Sequence, residues 1–340
     1  MKKVTFTDVA QRAGVSVAAV SRYVNNNGYV SEEKRQAIKK AIDEVGYSFV
    51  KEGKRKESNL IGVICPLPRF SIYYQKLSSA FIDAARKAGK QAILFCADEE
   101  ITNRNLPVLI GDAMGYSLDG LVVCSFRELV MSTDNVNLLS RLPFPVVLFE
   151  RTGGCRTFNS ITFDDLSATL DATEYLLSLG HTEIAYIGCS LRSEVEAGRY
   201  NGYREALTRN DIPIVEDWIV LKEGYGIQQG RTAMQKLIRN GCPATAVVAG
   251  SDSYAMGALQ AFQENGLRVP EDISLIGLDD SYAAVSLPAM STLAFPMDDA
   301  AATAVAMIQE QGRESASSLR HTTFGLKMIL RSSTQKKRTV

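Results

Sequence analysis

The N-terminal part of the chain spaces its apolar residues for two short helices that are separated by a turn. Thr5 and Asp8 have capping-box spacing, which predicts a helix beginning at Phe6. The apolar stripe of this helix consists of Val9, Ala10 and Ala13. Gly14 suits the positive φ that ends a helix, and Ser16 is suited to cap a second one. The pattern therefore predicts a helix–turn–helix unit.

The second predicted helix, residues 17–24, keeps Val20 and Val24 on the side that faces the first helix. Its outward residues are Val17, Ala18, Ser21 and Arg22. Because all of these except Arg22 are small, the helix can enter the major groove of DNA while the arginine reads a guanine edge. An ordinary helical hairpin has the same spacing, so these residues alone leave both interpretations open.

A third helix is predicted after Ser31, because Glu32 and Glu33 in its first turn match the preference of a helix N-terminus for acidic residues. Its apolar face consists of Ala37, Ile38, Ala41, Ile42 and Val45. We expect a three-helix domain over residues 1–48, followed by a charged linker over residues 49–59.

From residue 60 onwards, short apolar runs alternate with amphipathic stretches. The runs are Leu60–Cys65, Ala92–Cys96, Gly120–Cys124, Val146–Glu150, Ile184–Cys189, Ala246–Gly250, Ile273–Leu278 and, at the end, Leu326–Thr334. The helical stretches are Leu77–Ala88, Ala168–Leu179, Arg199–Asn210, Gly230–Asn240 and Ala255–Asn265. Unbroken apolar runs are typical of parallel strands that are buried on both faces. Run spacings of about 60 and about 26 residues are followed by spacings of about 62 and about 27, which predicts two similar, doubly wound α/β lobes.

Charge separates the two parts of the chain although its 38 basic and 38 acidic residues cancel overall. Residues 1–58 hold 12 Lys and Arg against 7 Asp and Glu, a balance of +5, so the remainder carries −5. A basic head on a mildly acidic body suits a protein that binds nucleic acid through its head. With 46% apolar residues, 340 residues are enough for two or three domains with real cores.

The six cysteines form no Cys-x-x-Cys pair, and four of them end apolar runs: Cys65, Cys96, Cys124 and Cys189. This usage predicts a reducing, cytoplasmic location without disulfides or a zinc site. Only His181 and His321 are present, so a histidine-based metal or catalytic cluster is not expected. We found neither a signal peptide nor an apolar run long enough for a membrane span. No cofactor motif and no nucleophile–base motif follows any strand, so we predict a protein that is not an enzyme.

Several polar and aromatic residues follow the predicted strands and should face a cleft between the lobes. Those that end or follow strands are Glu150, Arg151, Ser251, Asp252, Asp279 and Asp280. Arg199 is expected at the start of the first helix of the second lobe, and aromatic residues are expected in loops at Phe70, Tyr73, Tyr74 and Tyr225. Such a set suits a polyhydroxylated ring, although helix capping and lobe packing are alternative roles for each residue.

Motifs at both ends of the chain resemble those of one known family. In the head these are Asp8-Val-Ala, Ala13-Gly-Val-Ser16, Val20-Ser-Arg22, Val30-Ser31 and Gly46-Tyr47. In the body they are Ile61-Gly-Val63, Leu179-Gly-His181, Gly202-Tyr203, Val269-Pro-Glu-Asp-Ile-Ser274, Asp279-Asp280 and Ser333-Thr334. The chain resembles the lactose/galactose-repressor (LacI/GalR) family of bacterial transcription regulators over nearly its whole length.

This resemblance implies an α/β fold with an N-terminal helix–turn–helix head and two lobes of periplasmic-binding-protein type. Residues 60–340 would form an effector-binding and dimerisation core. Its first lobe would span about 60–160 and 293–322, and its second lobe about 161–292 and 323–334. The expected partners are a second copy of the chain, a near-palindromic double-stranded operator and a small effector, usually a sugar.

The resemblance also assigns residues to both sites. The DNA-binding positions are Thr5, Ser16, Val17, Ala18, Ser21, Arg22, Asn25 and Ser31, with 17, 18 and 22 reading bases. Together with the cleft residues above, the effector-binding set is Phe70, Tyr73, Arg151, Arg199, Tyr225, Ser251, Asp252 and Asp279. The predicted function is a repressor of a carbohydrate-utilisation operon, and the alternative is a soluble sugar-binding protein with the same lobes.

The linker departs from the family pattern, in which an apolar leucine wedges into the minor groove. Gly53 disfavours a hinge helix by roughly 1 kcal/mol relative to alanine, and the wedge position holds Lys56. We therefore expect a weak or absent hinge helix and phosphate contacts from Lys51, Lys54, Arg55 and Lys56. At Ala19, where the family usually has threonine, one hydroxyl contact to phosphate is missing.

Overall fold

The computed structural model describes residues 5–24, 29–45, 58–66, 71–97, 102–124, 131–312 and 318–338. It contains a small helical head followed by a body with two parallel sheets. The predicted fold class, a helix–turn–helix head with a two-lobed α/β body, is thereby confirmed.

The head consists of three helices around one small core. They are α1 (Phe6–Ala13), α2 (Val17–Val24) and α3 (Glu32–Val45). Thr5 and Asp8 form the predicted capping box, and Gly14 ends α1 in the left-handed region at φ 65°. The core that holds the helices together includes the fully buried side chains of Val9, Val20 and Ile38. Burial of one face of each helix fixes which residues of α2 remain outside.

The first sheet has six parallel strands in the order β11-β5-β4-β3-β1-β2. The strands are β1 (Leu60–Pro66), β2 (Gln91–Ala97), β3 (Gly120–Cys124), β4 (Val146–Glu150), β5 (Asn159–Phe163) and β11 (His321–Phe324). The helices of this lobe are α4 (Ile72–Lys87), α5 (Leu106–Met114), α6 (Thr133–Ser140) and α11 (Met297–Gln311). Its core covers the central strands and includes the fully buried residues Ile61, Val122 and Phe149.

The second sheet has four parallel strands in the order β7-β6-β8-β9. The strands are β6 (Ile184–Cys189), β7 (Ile219–Lys222), β8 (Ala246–Ala249) and β9 (Ser274–Ile276). The helices are α7 (Asp165–Ser178), α8 (Glu194–Arg209), α9 (Ile227–Arg239) and α10 (Asp252–Glu264). Helix α7 packs on α8 and α9 packs on α10.

Glycine makes the second of these helix contacts close. A Cβ atom built on Gly257 of α10 would lie 2.1 Å from the carbonyl oxygen of Ile227 and 2.3 Å from the amide nitrogen of Arg231. Both are backbone atoms of α9, so the two helices touch at a distance that leaves no room for a side chain.

The chain passes between the lobes three times. It leaves the first sheet after β5, returns through β10 (Thr292–Ala294) before α11, and leaves again after β11 towards β12 (Lys327–Ile329). Strands β10 and β12 pair with each other in antiparallel fashion. The first sheet therefore uses residues up to 163 and 324, slightly beyond the expected limits of lobe one at 160 and 322.

The observed elements differ most from the predicted ones where the apolar runs are short or contain polar residues. The sequence pattern did not predict the elements α5, α6, α11, β5, β7, β10 and β11. The run Ile273–Leu278 forms a strand only at Ser274–Ile276, and Leu326–Thr334 only at Lys327–Ile329. Strands of three residues lie below the length at which periodicity is informative.

Candidate functional site

The outer face of α2 presents the residues that were predicted to contact DNA. Val17 is 44% exposed, Ala18 is exposed, and Arg22 projects into solvent with its Nε atom donating to the Ala18 carbonyl at 3.2 Å. The Ser16 hydroxyl accepts a hydrogen bond from the Ala19 amide at 3.2 Å and so caps the helix. An apolar residue of this size and a guanidinium on one exposed helix face can meet thymine methyl groups and a guanine edge.

Of the other residues predicted to contact DNA, the structure describes only three, Thr5, Ser21 and Ser31. Thr5 is exposed, and its hydroxyl hydrogen-bonds with Asp8. Ser21 and Ser31 are half-buried. The other positions lie outside the described residues: Asn25, Lys51, Lys54, Arg55 and Lys56. The predicted behaviour of the linker consequently stays a prediction.

An ion pair connects the two lobes at the cleft. Arg151, which follows β4, donates from Nη2 to Oε1 of Glu196 at 3.0 Å and from Nη1 to Oε2 at 3.2 Å. Tyr225 donates its hydroxyl to Glu196 and lies 3.4 Å from Nη2 of Arg151. Burial by itself raises the pKa of the Glu196 carboxyl, but the Arg151 charge and the hydrogen bonds from Ser193, Tyr225 and Arg151 together outweigh it, and the pKa falls to about 2. The pair is therefore charged at any physiological pH.

A second buried ion pair lies beside the first. Arg199 donates from Nε to Oδ1 of Asp165 at 2.7 Å and from Nη1 to the Gly250 carbonyl at 2.9 Å. Its guanidinium carbon lies 5.9 Å from the centre of the Phe295 ring, within the range of a cation–π contact. The expectation that Arg199 begins its helix is wrong, because α8 starts at Glu194 and places Arg199 in its second turn.

Glu150 is the most unusual residue of the cleft. Its φ is 76°, a left-handed backbone conformation that is costly for a residue with a Cβ atom, and its side chain is buried. Its Oε2 atom makes no hydrogen bond within the part of the chain that the structure describes. Burial raises the pKa of this carboxyl to about 7, against the opposing effect of Arg151 and Arg199.

Glu150 lines a cavity of about 250 Å³ at the junction of the lobes. The other lining residues are Thr152, Thr162, Phe163, Asp164, Asp165, Leu166, Glu194, Val195 and Gly198. Hydroxyl and carboxyl groups are hydrogen-bonding partners for a ligand rich in hydroxyl groups. The cavity is small, but its position between lobes that are joined by three crossings suits a ligand that changes their relative position.

Asp279 of the second lobe and Tyr73 of the first lobe are two further residues of the cleft. Asp279 has a φ of 102°, its Oδ1 atom accepts from the Ser281 amide at 2.8 Å, and burial raises its pKa to about 6. Tyr73 packs edge-on against Phe295 at 5.6 Å between ring centres, and burial raises the pKa of its phenol. Tyr73 was expected in a loop, as was Tyr74, but both lie in the first turn of α4.

Asp252 does not fit the effector-contacting role that was predicted for it. Its Oδ2 atom accepts from the amides of Tyr282 and Ala283, both at 3.0 Å, and its Oδ1 atom accepts from the Thr292 hydroxyl at 2.7 Å. The carboxylate is fully buried. These contacts show that Asp252 organises the segment after β9.

Two further residues predicted to face the cleft, Ser251 and Asp280, also form hydrogen bonds with other residues of the protein. The Ser251 hydroxyl caps α10 by accepting from the Tyr254 amide at 3.3 Å and lies 2.8 Å from the Ser253 hydroxyl. Asp280 accepts from Nη2 of Arg331 at 2.8 Å, and its backbone carbonyl accepts from Lys76 of the first lobe. Asp280 thus joins the lobes at the rim of the cleft. Phe70 lies outside the described residues.

Four cleft residues were not predicted from the sequence: Asp165, Glu196, Phe295 and Ser193, whose hydroxyl accepts a hydrogen bond from Nη1 of Arg151. One signal was available for Glu196, because it precedes Arg199 by three positions and so shares its helix face. Asp165 follows a strand that was not predicted, and Phe295 follows the three-residue strand β10. Their contribution to the cleft depends on lobe packing, which local patterns do not encode.

Other kinds of site find no support in the described parts of the chain. None of their Asp, Glu, His and Cys side chains form a group of three or more that could hold a metal ion. No helix among these residues is both long enough and apolar enough to cross a membrane.

Two models of known protein families match different parts of the chain. Residues 5–48 match the model for bacterial regulatory proteins of the lacI family, and residues 173–334 match the model for a periplasmic binding protein-like domain. Catabolite control protein A of Priestia megaterium is 31% identical over 311 residues, which cover 90% of this chain and 91% of that protein.

Two solved structures share the fold of the chain at 24% sequence identity. One is a complex of the transcriptional regulator CelR with cellobiose, which covers 97% of this chain and 100% of its own with a TM-score of 0.73. The other is a lac repressor dimer bound to operator and an anti-inducer, with corresponding values of 98%, 100% and 0.71.

Proposed function

This chain belongs to the LacI family of bacterial regulatory proteins and is a DNA-binding transcriptional regulator, and we propose that it represses a carbohydrate-utilisation operon under the control of a sugar-like effector. The predicted family and the prediction of a regulator instead of an enzyme are confirmed by the relatives. The operon, the effector class and the site residues are our proposal.

The proposal for the effector rests mainly on the composition of the cleft. Carboxyl groups of Glu150 and Asp279 sit with the Phe295 and Tyr73 rings around two buried ion pairs. Aromatic faces can stack on the C–H face of a sugar, while carboxyl oxygens accept hydrogen bonds from its hydroxyl groups. The cellobiose bound to CelR, a protein of the same fold, is a ligand of this chemical class.

We assign the effector contacts to Tyr73, Arg199, Tyr225 and Asp279, with Glu150 and Phe295 added from the geometry. Arg151 is assigned to lobe bridging, which an effector would modulate, because both of its terminal nitrogens engage Glu196. Phe70 and Ser251 remain candidates through the family resemblance.

We assign DNA reading to α2. In this proposal Val17, Ala18 and Arg22 contact base edges, while the hydroxyl groups of Thr5, Ser16, Ser21 and Ser31, with Asn25, contact phosphates. Two heads from a homodimer would read the two halves of a near-palindromic operator, and the lac repressor of the same fold is likewise a dimer bound to operator. Such a regulator acts in the cytoplasm, where the operator DNA is. Contacts from the linker lysines and Arg55 to phosphates complete the proposal.

The proposed function can be tested by electrophoretic mobility shift with the DNA upstream of the gene and of its neighbours. We expect binding by the full chain, loss of binding after deletion of residues 1–58, and a change of affinity with one of a panel of sugars. Asp279→Asn should bind DNA like the wild type but lose the response to the sugar.

The matched control is Asp298→Asn, which removes the same charge from an exposed position in the first turn of α11. It should keep both DNA binding and the sugar response. A truncated chain that still binds the same DNA specifically would contradict the assignment to α2, and a response that survives in Asp279→Asn would contradict the assignment of that residue.

A further inference from the structure

Two cysteines of the first lobe face each other across neighbouring strands. Cys65 of β1 pairs in register with Cys96 of β2, and their Sγ atoms are 3.7 Å apart. Parallel neighbours lie about 4.8 Å apart, inside the range of Cα separations that a disulfide spans. A rotation of the two side chains, without movement of the sheet, is therefore enough to bring the sulfur atoms towards bonding distance.

The two thiols differ in exposure and acidity. Cys65 is 1% exposed, whereas Cys96 is only half-buried. Hydrogen bonding with Cys65 lowers the pKa of Cys96 to about 7, while the same contact and burial raise the pKa of Cys65. Because the thiolate is the reactive form, Cys96 is the nucleophile of the pair and Cys65 the partner that reacts second.

A third cysteine lies nearby but is a poorer participant. Cys124 ends β3, the strand on the other side of β1, and is fully buried. Burial, followed by the charge of Glu150, raises the pKa of its thiol well above the ordinary value. It therefore remains protonated under conditions in which Cys96 ionises.

We propose that Cys65 and Cys96 form a reversible oxidation site, which a hydroperoxide converts into a disulfide between β1 and β2. In the first step the Cys96 thiolate attacks one oxygen of hydrogen peroxide, the O–O bond breaks, and the hydroxide that leaves takes up a proton to give water. In the second step the Cys65 sulfur attacks Sγ of the Cys96 sulfenic acid. The S–O bond breaks, and the departing hydroxide leaves as water with the Cys65 proton.

The bridge would tie the carboxyl ends of two neighbouring strands, at the edge of the sheet from which the cleft residues of this lobe arise. Helix α4, which follows β1 in the chain, carries Tyr73 at the cleft. Oxidation is thus placed next to the effector site, although the two thiols are themselves part of the sheet.

The test uses the reduced full-length protein treated with hydrogen peroxide, then blocked with N-ethylmaleimide and digested with trypsin without reduction. We expect a cross-linked species that joins peptide 57–69 to peptide 91–104 and is two hydrogens lighter than their sum. Dithiothreitol should release it. Alkylation of the untreated protein at pH 7 should modify Cys96 at least about tenfold faster than Cys242, whose pKa is raised by burial.

Two variants separate the proposed chemistry from unspecific oxidation. Cys65→Ser should leave a sulfenic acid at Cys96 that dimedone traps, whereas Cys96→Ser should form neither the sulfenic acid nor the bridge. The control Cys155→Ser changes another half-buried thiol and should leave the cross-link unchanged. A wild-type protein without the cross-linked peptide, a Cys65→Ser protein in which dimedone does not label Cys96, or equal alkylation of Cys96 and Cys242 would overturn the proposal.

Discussion

Arg151 and Glu196 form a two-pronged, buried ion pair that joins the lobes across the cleft, with N–O distances of 3.0 and 3.2 Å. One partner follows β4 of the first sheet, and the other lies on the first turn of α8 in the second lobe. Breaking this pair leaves a buried charge without its partner, which costs far more than breaking an exposed pair.

We predict that Arg151→Ala lowers the free energy of unfolding by about 3–5 kcal/mol, because the buried Glu196 carboxylate loses the guanidinium that bonds both of its oxygens. Urea denaturation followed by circular dichroism measures this change. Arg192→Ala is the control, because Arg192 and Glu223 are 63% and 61% exposed and pair at 3.3 Å. That variant should lose less than about 1 kcal/mol. Equal losses in the two variants would contradict the role of burial.

Glu150 should make stability depend on pH around neutrality. The folded-state pKa of about 7 lies above the ordinary value of 4.5, so folding favours the protonated form. The corresponding stability is fully present below pH 4.5 and is lost as the pH rises through 7. Glu150→Gln, which never ionises, should therefore be more stable than the wild type at about pH 8.5, by roughly 3 kcal/mol, but not at about pH 5.

Denaturation curves of both proteins at the two pH values measure this difference. Asp298→Asn, at an exposed site, controls for the loss of one negative charge and should show no such pH dependence. A stability difference between wild type and Glu150→Gln that does not change with pH would show that folding does not raise the pKa of Glu150.

Two helical glycines, one packed against a neighbouring helix and one in open space, should respond in opposite ways to substitution by alanine. Gly257→Ala places a Cβ atom against the α9 backbone and should destabilise the protein by about 1–3 kcal/mol. Gly111→Ala, inside α5 with no heavy atom within 4 Å, should stabilise it by about 0.5–1 kcal/mol. Thermal unfolding of the two variants distinguishes steric contact from helix propensity. Stabilisation by both would mean that the two helices can separate without cost.

Arg22 should determine sequence preference in the head. Arg22→Ala removes the one large polar group among the outward residues of α2 and should weaken specific operator binding by about 1–3 kcal/mol. Lys39→Ala, an exposed residue of α3, removes the same charge and should have a much smaller effect. Mobility shifts with operator and with scrambled DNA at one salt concentration measure specific and non-specific binding of each variant. Equal losses on the two DNAs would show that Arg22 contacts only phosphate.

The sequence predicted the head well because its signals are local. The cap formed by Thr5 and Asp8 and the turn at Gly14 depend on neighbouring residues, and the structure has both. Long apolar runs such as Gly120–Cys124 and Ile184–Cys189 also became strands with the predicted bounds. In these segments the hydrophobic pattern alone distinguishes the buried strand from its surroundings.

The cleft was predicted only in part because its members come from distant segments. Arg199 was predicted at a helix start and Tyr225 in a loop after a strand, both with support from family motifs, but their partners Asp165 and Glu196 were not predicted. Asp252 was misassigned because a residue after a strand can point either into a cleft or beneath the neighbouring loop. Only the positions of Tyr282 and Thr292 decide between these alternatives.

The three crossings between the lobes have a consequence for how the protein is made. The first sheet needs β11, and its core needs α11, yet both are translated after the whole of the second sheet. During synthesis strands β1 to β5 are made first. The free edge of β5 and the apolar surface that α11 will cover stay exposed until the later segments are translated. Because exposed strand edges and apolar faces favour aggregation, the nascent chain should depend on chaperones until Phe324 has left the ribosome.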